Sequence, residues 1–478
     1  MAQANFPLRG EGMHRVIVVL LIVGISVGLA AGLTTETVTF GRFGEVSLYY
    51  ESPHPAHVVL FVSGDGGWNL GVVDMAKSLT SLDSLVVGVN IVHYLKELES
   101  GSEPCSYPAS DFEALSQFIQ KKLNFPDYVT PILVGYSSGA TLVYATIVQA
   151  PTTTFQGAIS MGFCPDLPLT KPFCRGNGLE WDPGPKGKGF SFRPALGLEV
   201  PWVVLHGTID QVCSPEETAA YVRKIPTARL IVLPKVGHGF SVQRNWLPQF
   251  KNAFAALAVQ PTAGLPPPRQ DELKDLPLQE IPESGPAADR LVVFITGDGG
   301  YGVTDKGVCT GLAAQGYPVV VLNSLKYFWS RRTPDGVAAD LQRILSHYLA
   351  AWKKDRAILI GYSLGADVLP FAANRLTADL MKRVDLLVFL GPSRTVDFEF
   401  HLTDWFRSTK RPTDLPVLPE IEKLRGVRML AFYGDDETDS LGPMLDPSLA
   451  KVIRLKGGHR IGGNYSPVLA DILTAIRE

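Results

Sequence analysis

Gly361-Tyr362-Ser363-Leu364-Gly365 sits between Arg356–Ile360, which reads as a buried strand, and Ala366–Asn374, which reads as a helix. A serine flanked by glycines at a strand-to-helix turn is held in a strained conformation. Small neighbours let the chain turn tightly enough to push Oγ out of the sheet toward a partner base. In a chain with 46 glycines so loose a pattern also arises by chance, and its context is what gives it meaning. The pattern recurs in the same context as Gly135-Tyr136-Ser137-Ser138-Gly139, after the apolar run Pro131–Val134. Ser363 and Ser137 are therefore candidate nucleophiles.

A hydroxyl attacks poorly until an imidazole takes its proton and a carboxylate holds that imidazole in the right tautomer. Both copies supply these partners downstream, in the order serine, acid, histidine. In the first, strand Trp202–Leu205 runs into His206-Gly207-Thr208-Ile209-Asp210, and strand Leu230–Leu233 leads to Gly237-His238-Gly239. In the second, Met429–Phe432 runs into Tyr433-Gly434-Asp435-Asp436-Glu437, and Val452–Leu455 leads to Gly457-Gly458-His459. Aligning the copies sets Glu437 opposite Asp210, with Asp435 and Asp436 competing for the same role. A lone histidine is more often structural, but a histidine in a glycine-flanked loop after a late strand fits the base of this mechanism.

An oxyanion needs backbone donors: the N–H of the residue after the nucleophile, Leu364 or Ser138, and another from a loop after an early strand. Gly64-Asp65-Gly66-Gly67-Trp68, after Val58–Ser63, and Gly297-Asp298-Gly299-Gly300-Tyr301, after Leu291–Thr296, stand in that position. Gly66, Gly67, Gly299 and Gly300 are thus candidate donors; the alternative is a plain glycine turn. A phosphate-binding loop is the weaker reading, since its Lys and Ser/Thr are missing. Asp298, Asp367, Asp435 and Asp436 are candidate contacts to a cationic substrate group, although a run such as Asp435–Asp439 is more often a solvated loop. This chemistry calls for no cofactor and no metal.

The spacing between the two GDGG loops also separates Asn90 from Asn323 and Tyr94 from Tyr327, and it shortens by a few residues at the serine turns. Such collinearity signals a duplicated domain. Within each copy, strands alternate with helices; the clearest helix starts at Thr333-Pro334 and puts Val337, Leu341, Ile344, Leu345 and Tyr348 on one face. The expected fold is α/β: two tandem α/β-hydrolase-like domains, each a mostly parallel sheet flanked by helices. Residues 34–259 form the first and 272–478 the second, and the Pro-rich stretch 260–271 links them. Asp275–Pro282 is expected to open the second domain as a strand.

The 478 residues leave room for two full cores, and a net charge of -3 gives no electrostatic case for nucleic acid. Arg9 and Arg15 precede an apolar run, Val16–Val27, followed by the small residues Gly28-Leu29-Ala30. Residues 1–33 therefore read as a signal peptide or N-terminal membrane anchor, which sends the chain to the periplasm. Of the five cysteines, Cys105, Cys164, Cys174 and Cys213 can form two disulfides, with Cys164–Cys174 the expected local pair and Cys309 left over.

Several of these stretches together resemble the bacterial virulence protein VirJ family, and the two-domain layout resembles its longer, AcvB-like members. They are Thr296-Gly297-Asp298-Gly299-Gly300, Ser324-Leu325-Lys326-Tyr327-Phe328-Trp329 with Arg332-Thr333-Pro334, Gly361–Pro370, and Gly457-Gly458-His459. The resemblance implies a periplasmic, membrane-associated serine hydrolase that removes the aminoacyl group from aminoacyl-phosphatidylglycerol, typically the lysyl form. Its partners would be that anionic phospholipid and the periplasmic face of the inner membrane; in plant-associated members it implies a link to virulence and DNA transfer. Two rival readings are a non-catalytic binding protein or chaperone for secretion components and a general esterase or lipase.

Overall fold

The structure, a computed structural model, describes residues 32–259, 273–402, 411–459 and 465–478. All but the last two residues of the expected export segment, and the linker 260–271, lie outside them. Among the described residues no helix is long and apolar enough to cross a membrane.

The first sheet begins with β1 (Thr34–Phe40), β2 (Gly44–Tyr50), β3 (His57–Val62), β4 (Ser84–Val89), β5 (Ile132–Tyr136) and β6 (Gly157–Met161). A small sheet of β7 (Asp166–Leu167), β8 (Trp181–Pro183) and β9 (Phe190–Phe192) intervenes before β10 (Trp202–Gly207) and β11 (Ala228–Leu233). The order across the main sheet is β1-β2-β4-β3-β5-β6-β10-β11. β1 and β2 are antiparallel to their neighbours and the rest run parallel.

The second sheet repeats the plan with β12 (Leu278–Ile281), β13 (Arg290–Ile295), β14 (Val319–Leu322), β15 (Arg356–Tyr362) and β16 (Val384–Leu390). A ribbon of β17 (Thr395–Val396) and β18 (Leu415–Pro416) precedes β19 (Met429–Gly434) and β20 (Lys451–Leu455). The order is β12-β14-β13-β15-β16-β19-β20, with only β12 antiparallel. β12 lies inside the expected Asp275–Pro282.

Period-two alternation on strands buried on both faces makes two cores per sheet. In β3, Val58, Leu60 and Val62 enter one core while Val59 and Phe61 enter the other. Leu291, Val293 and Ile295 of β13 divide from Val292 and Phe294 in the same way. The helix Pro334–Ala351 starts as its sequence implies: the Thr333 hydroxyl accepts the Gly336 N–H at 3.1 Å, and Val337, Leu341, Ile344, Leu345 and Tyr348 are buried.

The expected Cys164–Cys174 bond does not form. The disulfides are Cys105–Cys174 and Cys164–Cys213, and Cys309 is free and buried. Closeness in sequence misled here, because β6 and β10 are neighbours in the sheet and bring the loops holding Cys164 and Cys213 side by side. Cys174 instead donates its N–H to the carbonyl of Ser106, beside Cys105.

The domains meet head to tail. From the first domain the seam uses Lys121, Phe125, Pro126, Tyr128, Thr153 and Glu199, all on segments that lead into the amino ends of β5, β6 and β10. From the second it uses Tyr301, Lys306, Leu325, Trp329, Ser330, Glu399 and Phe400, all on segments that leave the carboxyl ends of β13, β14 and β16. Trp329 is the anchor: it donates Nε1–H to the Phe125 carbonyl at 2.8 Å and packs on Tyr128 and Phe400. Lys121 lies over its ring and pairs with Glu399 at 3.6 Å. At the rim, Lys306 pairs with Glu199, and the Thr153 hydroxyl donates to the Tyr301 carbonyl at 2.8 Å.

Candidate active site

In both domains the serine sits at the carboxyl edge of the sheet, between a central strand and a helix. Ser363, between β15 and the helix Leu364–Ala373, has φ 53°; Ser137, between β5 and the helix Ser138–Gln149, has φ 55°. Such a conformation costs on the order of 1–3 kcal/mol. Burying Leu359 and Ile360 alone offsets that, at about 1.5–3 kcal/mol each. The flanking glycines are steric necessities: a Cβ on Gly361 would strike the Gly365 carbonyl, and one on Gly365 would strike the carbonyl of Ile295.

Ser363 Oγ lies 2.7 Å from His459 Nε2, and His459 Nδ1 faces Glu437 Oε2 at 3.3 Å. Glu437 Oε1 accepts the Gly434 N–H, which fixes the carboxylate. Of the three competing acids, Glu437 is therefore the one that meets the imidazole. Asp435 instead accepts the Gly457 N–H at 2.8 Å and faces Arg454, and the Asp436 side chain is exposed.

The first-domain relay is closer at the histidine–acid step. Ser137 Oγ is 2.9 Å from His238 Nε2, and His238 Nδ1 is 2.8 Å from Asp210 Oδ2. Asp210 Oδ1 accepts the N–H groups of Val212 and Cys213. Burial raises the Asp210 carboxyl, but the Cys213 N–H, the His238 bond and the Val212 N–H together hold it below its ordinary range.

The glycine loops need one correction. The N–H of Gly300 closes the turn onto Gly297 O at 3.0 Å, and that of Gly67 closes onto Gly64 O at 2.9 Å. Neither is available to an oxyanion. That leaves Gly299 and Gly66 among the predicted loop donors, opposite Leu364 and Ser138, whose N–H groups open their helices and have no intrahelical acceptor. Asn323 and Asn90 underlie the turns, each also capping the next helix. In the first domain Ser138 Oγ donates to Asp65 at 2.5 Å.

Asp367 is also corrected. Its side chain is buried, accepts the Ser393 N–H at 2.6 Å, and braces the loop after β16 rather than facing a substrate. Desolvation pushes its carboxyl up to about 7. Burial draws the His459 imidazole down, but the hydrogen bond and charge of Glu437, with the charges of Asp367 and Asp298, outweigh it and leave the pKa above its ordinary value.

Sequence reasoning missed three features. Tyr362 and Tyr136, the second residue of each serine motif, donate their hydroxyls to the backbone carbonyls of His459 and His238. Gly391 and Gly162, at φ 63° and 65°, let the imidazoles pack where a Cβ would press on Cε1 at 3.2 Å. Both pairs recur at matching places in the two copies, which was the available signal. Lys326 is the third: it is half-buried after β14, and desolvation lowers its pKa. Two cavities of about 740 Å³ lie elsewhere; no triad residue lines either.

Two parallel-sheet domains, each with a serine–histidine–carboxylate relay at the carboxyl edge of its sheet, define an α/β-hydrolase protein with duplicated sites. The chain belongs to the bacterial virulence protein VirJ family, whose model matches residues 56–163 and 289–478. Similar solved structures each cover about one domain. The esterase domain of a Rhodothermus marinus protein is 15% identical over 47% of this chain and 98% of its own, at TM-score 0.32. A lidless α/β serine hydrolase from Xanthomonas campestris is 20% identical over 47% and 93%, at TM-score 0.30. An α/β serine hydrolase homologue from Coxiella burnetii is 16% identical over 47% and 96%, at TM-score 0.31. No curated protein matches the chain.

Proposed function

We propose that the second domain hydrolyses the aminoacyl ester of aminoacyl-phosphatidylglycerol, preferring the lysyl form, in the periplasm at the inner-membrane surface, with a role in membrane-lipid homeostasis and virulence. The observation that carries this reading is the Ser363–His459–Glu437 relay with additional carboxylates around it. Ser363 Oγ attacks the ester carbonyl carbon as His459 Nε2 takes its proton. The oxyanion is met by Leu364 N–H and Gly299 N–H. Collapse breaks the ester C–O bond, His459 protonates the leaving glycerol oxygen, and water then releases the amino acid by the same steps. Glu437 holds the Nδ1 proton and balances the imidazolium.

The ammonium group of a lysyl ester is attracted by Asp298 and the Asp435–Asp439 loop, more strongly in a partly desolvated cleft than in water. The two disulfides support an oxidising compartment, and family membership supports the virulence role.

The test is release of lysine from lysyl-phosphatidylglycerol vesicles by the purified chain. Ser363→Ala should cut it at least about a thousandfold with the fold intact by circular dichroism. Wild-type rates in Ser363→Ala would remove the assignment. Fatty-acid release without lysine release would make the second domain a lipase, and no release of either would favour the binding-protein reading.

A further inference from the structure

We propose that Ser137 is a second, independent catalytic centre, which hydrolyses esters of uncharged, apolar acyl groups. Its machinery is complete: the Ser137–His238–Asp210 relay closes at 2.9 and 2.8 Å, with Asp210 fixed by two further N–H groups. The strained serine backbone is also kept, at φ 55°. The Ser138 N–H and the Gly66 N–H stand where Leu364 and Gly299 stand in the other copy.

The acyl preference follows from comparing the copies position by position. The acid loops align as Gly207-Thr208-Ile209-Asp210-Gln211-Val212-Cys213 and Gly434-Asp435-Asp436-Glu437-Thr438-Asp439-Ser440. Three aspartates in the second are Thr208, Ile209 and Val212 in the first. Four residues beyond the nucleophile, Asp367 is replaced by Thr141, whose hydroxyl braces the loop after β6 by donating to the Cys164 carbonyl. Asp65, the counterpart of Asp298, remains and accepts the Ser138 hydroxyl, but the first site otherwise keeps these structural ties while shedding the charge of four carboxylates.

In its place it exposes hydrocarbon. Ile209 is 59% and Val212 68% exposed, Val242 on the loop beyond His238 is 46% and Val92 after β4 is 51%. Single exposed aliphatics are ordinary, but all four follow the carboxyl ends of β4, β10 and β11, at the sheet edge that carries Ser137, where they favour an apolar ligand. Leu325, the counterpart of Val92, is only 5% exposed because it lies in the domain seam. The head-to-tail stacking uses the amino edge of the first sheet, so the seam does not cover the carboxyl edge around Ser137.

In the reaction Ser137 Oγ bonds to the acyl carbon while its proton passes to His238 Nε2. The ester C–O bond breaks, and that proton leaves with the alcohol. Water then attacks the acyl-serine, giving one proton to His238 and on to Ser137, and the fatty acid departs.

The experiment follows p-nitrophenyl octanoate hydrolysis and lysine release from lysyl-phosphatidylglycerol in parallel, with full-length wild type, Ser137→Ala and Ser363→Ala. Octanoate turnover should fall at least tenfold in Ser137→Ala, and the ratio of octanoate turnover to lysine release should rise at least tenfold in Ser363→Ala. Octanoate turnover that survives Ser137→Ala and disappears in Ser363→Ala overturns the proposal. Absence of lysine release from wild type would count against the second-domain function alone, because octanoate turnover is read by itself. The double variant Ile209→Asp/Val212→Asp should raise KM for octanoate at least severalfold with kcat retained; an unchanged KM overturns the apolar preference.

Discussion

The difference between the two relays comes down to a few carboxylates around one imidazole. His459 works as a base only when neutral, so Ser363-dependent kcat/KM rises with pH through the His459 pKa. With that pKa raised, the rise lies above the ordinary histidine value. Asp367 is itself pushed up to about 7, and its charge is one of those that raise His459. Replacing Asp367 with Asn keeps an acceptor for the Ser393 N–H and removes one of the charges that raise His459. The acid limb of a pH–rate profile should therefore move to lower pH in Asp367→Asn, and the rate at pH 6 relative to pH 8 should increase. A limb that stays put or moves up would mean Asp367 does not act on the base. The serines and histidines were legible because glycines flank them in both copies. The second acid was legible only by aligning the copies, which set Glu437 opposite Asp210, because Asp435 and Asp436 share its loop; the backbone path is what turns Glu437 to the imidazole. The role of Asp367 was half legible: a lone acid amid Ala366, Val368 and Leu369 marks a buried carboxylate with a fixed partner, not a surface contact.

Among the connecting elements, the Cys164–Cys213 bond does the most for a site. It joins the loop after β6 to the acid loop after β10, and the Cys213 N–H itself holds Asp210. The second domain has Ser393 and Ser440 at the matching places, joined by a backbone bridge instead of a covalent one. The closed loop spans 49 residues, and a native disulfide of this kind stabilises by about 2–4 kcal/mol. Cys164→Ser/Cys213→Ser should lower unfolding free energy by about that much in urea and slow Ser137-dependent octanoate hydrolysis, with lysine release by Ser363 far less affected. Equal slowing at both sites would mean the bond acts on the whole chain. Strands and helices were readable from periodicity because each copy alternates cleanly between two cores. The disulfide pairing was not, because it depends on β6 and β10 being neighbours, a non-local fact with no local residue pattern.

The head-to-tail stacking has a consequence for the molecule as a whole: every seam contact from the second domain comes from segments at the edge that carries Ser363. Tyr301, held through its carbonyl by Thr153, directly follows the Gly299-Gly300 turn, and Trp329 lies a few residues beyond Asn323, which underlies Gly300. The seam therefore braces the oxyanion loop of the second site, while its contacts on the first domain lie at the sheet end opposite Ser137. Trp329→Phe tests this mildly. It keeps an aromatic ring between Tyr128 and Phe400 but removes the indole N–H, leaving the buried Phe125 carbonyl without its donor, at a cost of about 1–3 kcal/mol. Urea unfolding should report that loss. The slackened loop should lower Ser363-dependent kcat severalfold, since oxyanion donors act only when held in place, while octanoate turnover at Ser137 holds within about twofold. If both activities fall together, the domains are coupled through something other than this seam. If neither falls despite the stability loss, the first domain rests on the second without shaping its site.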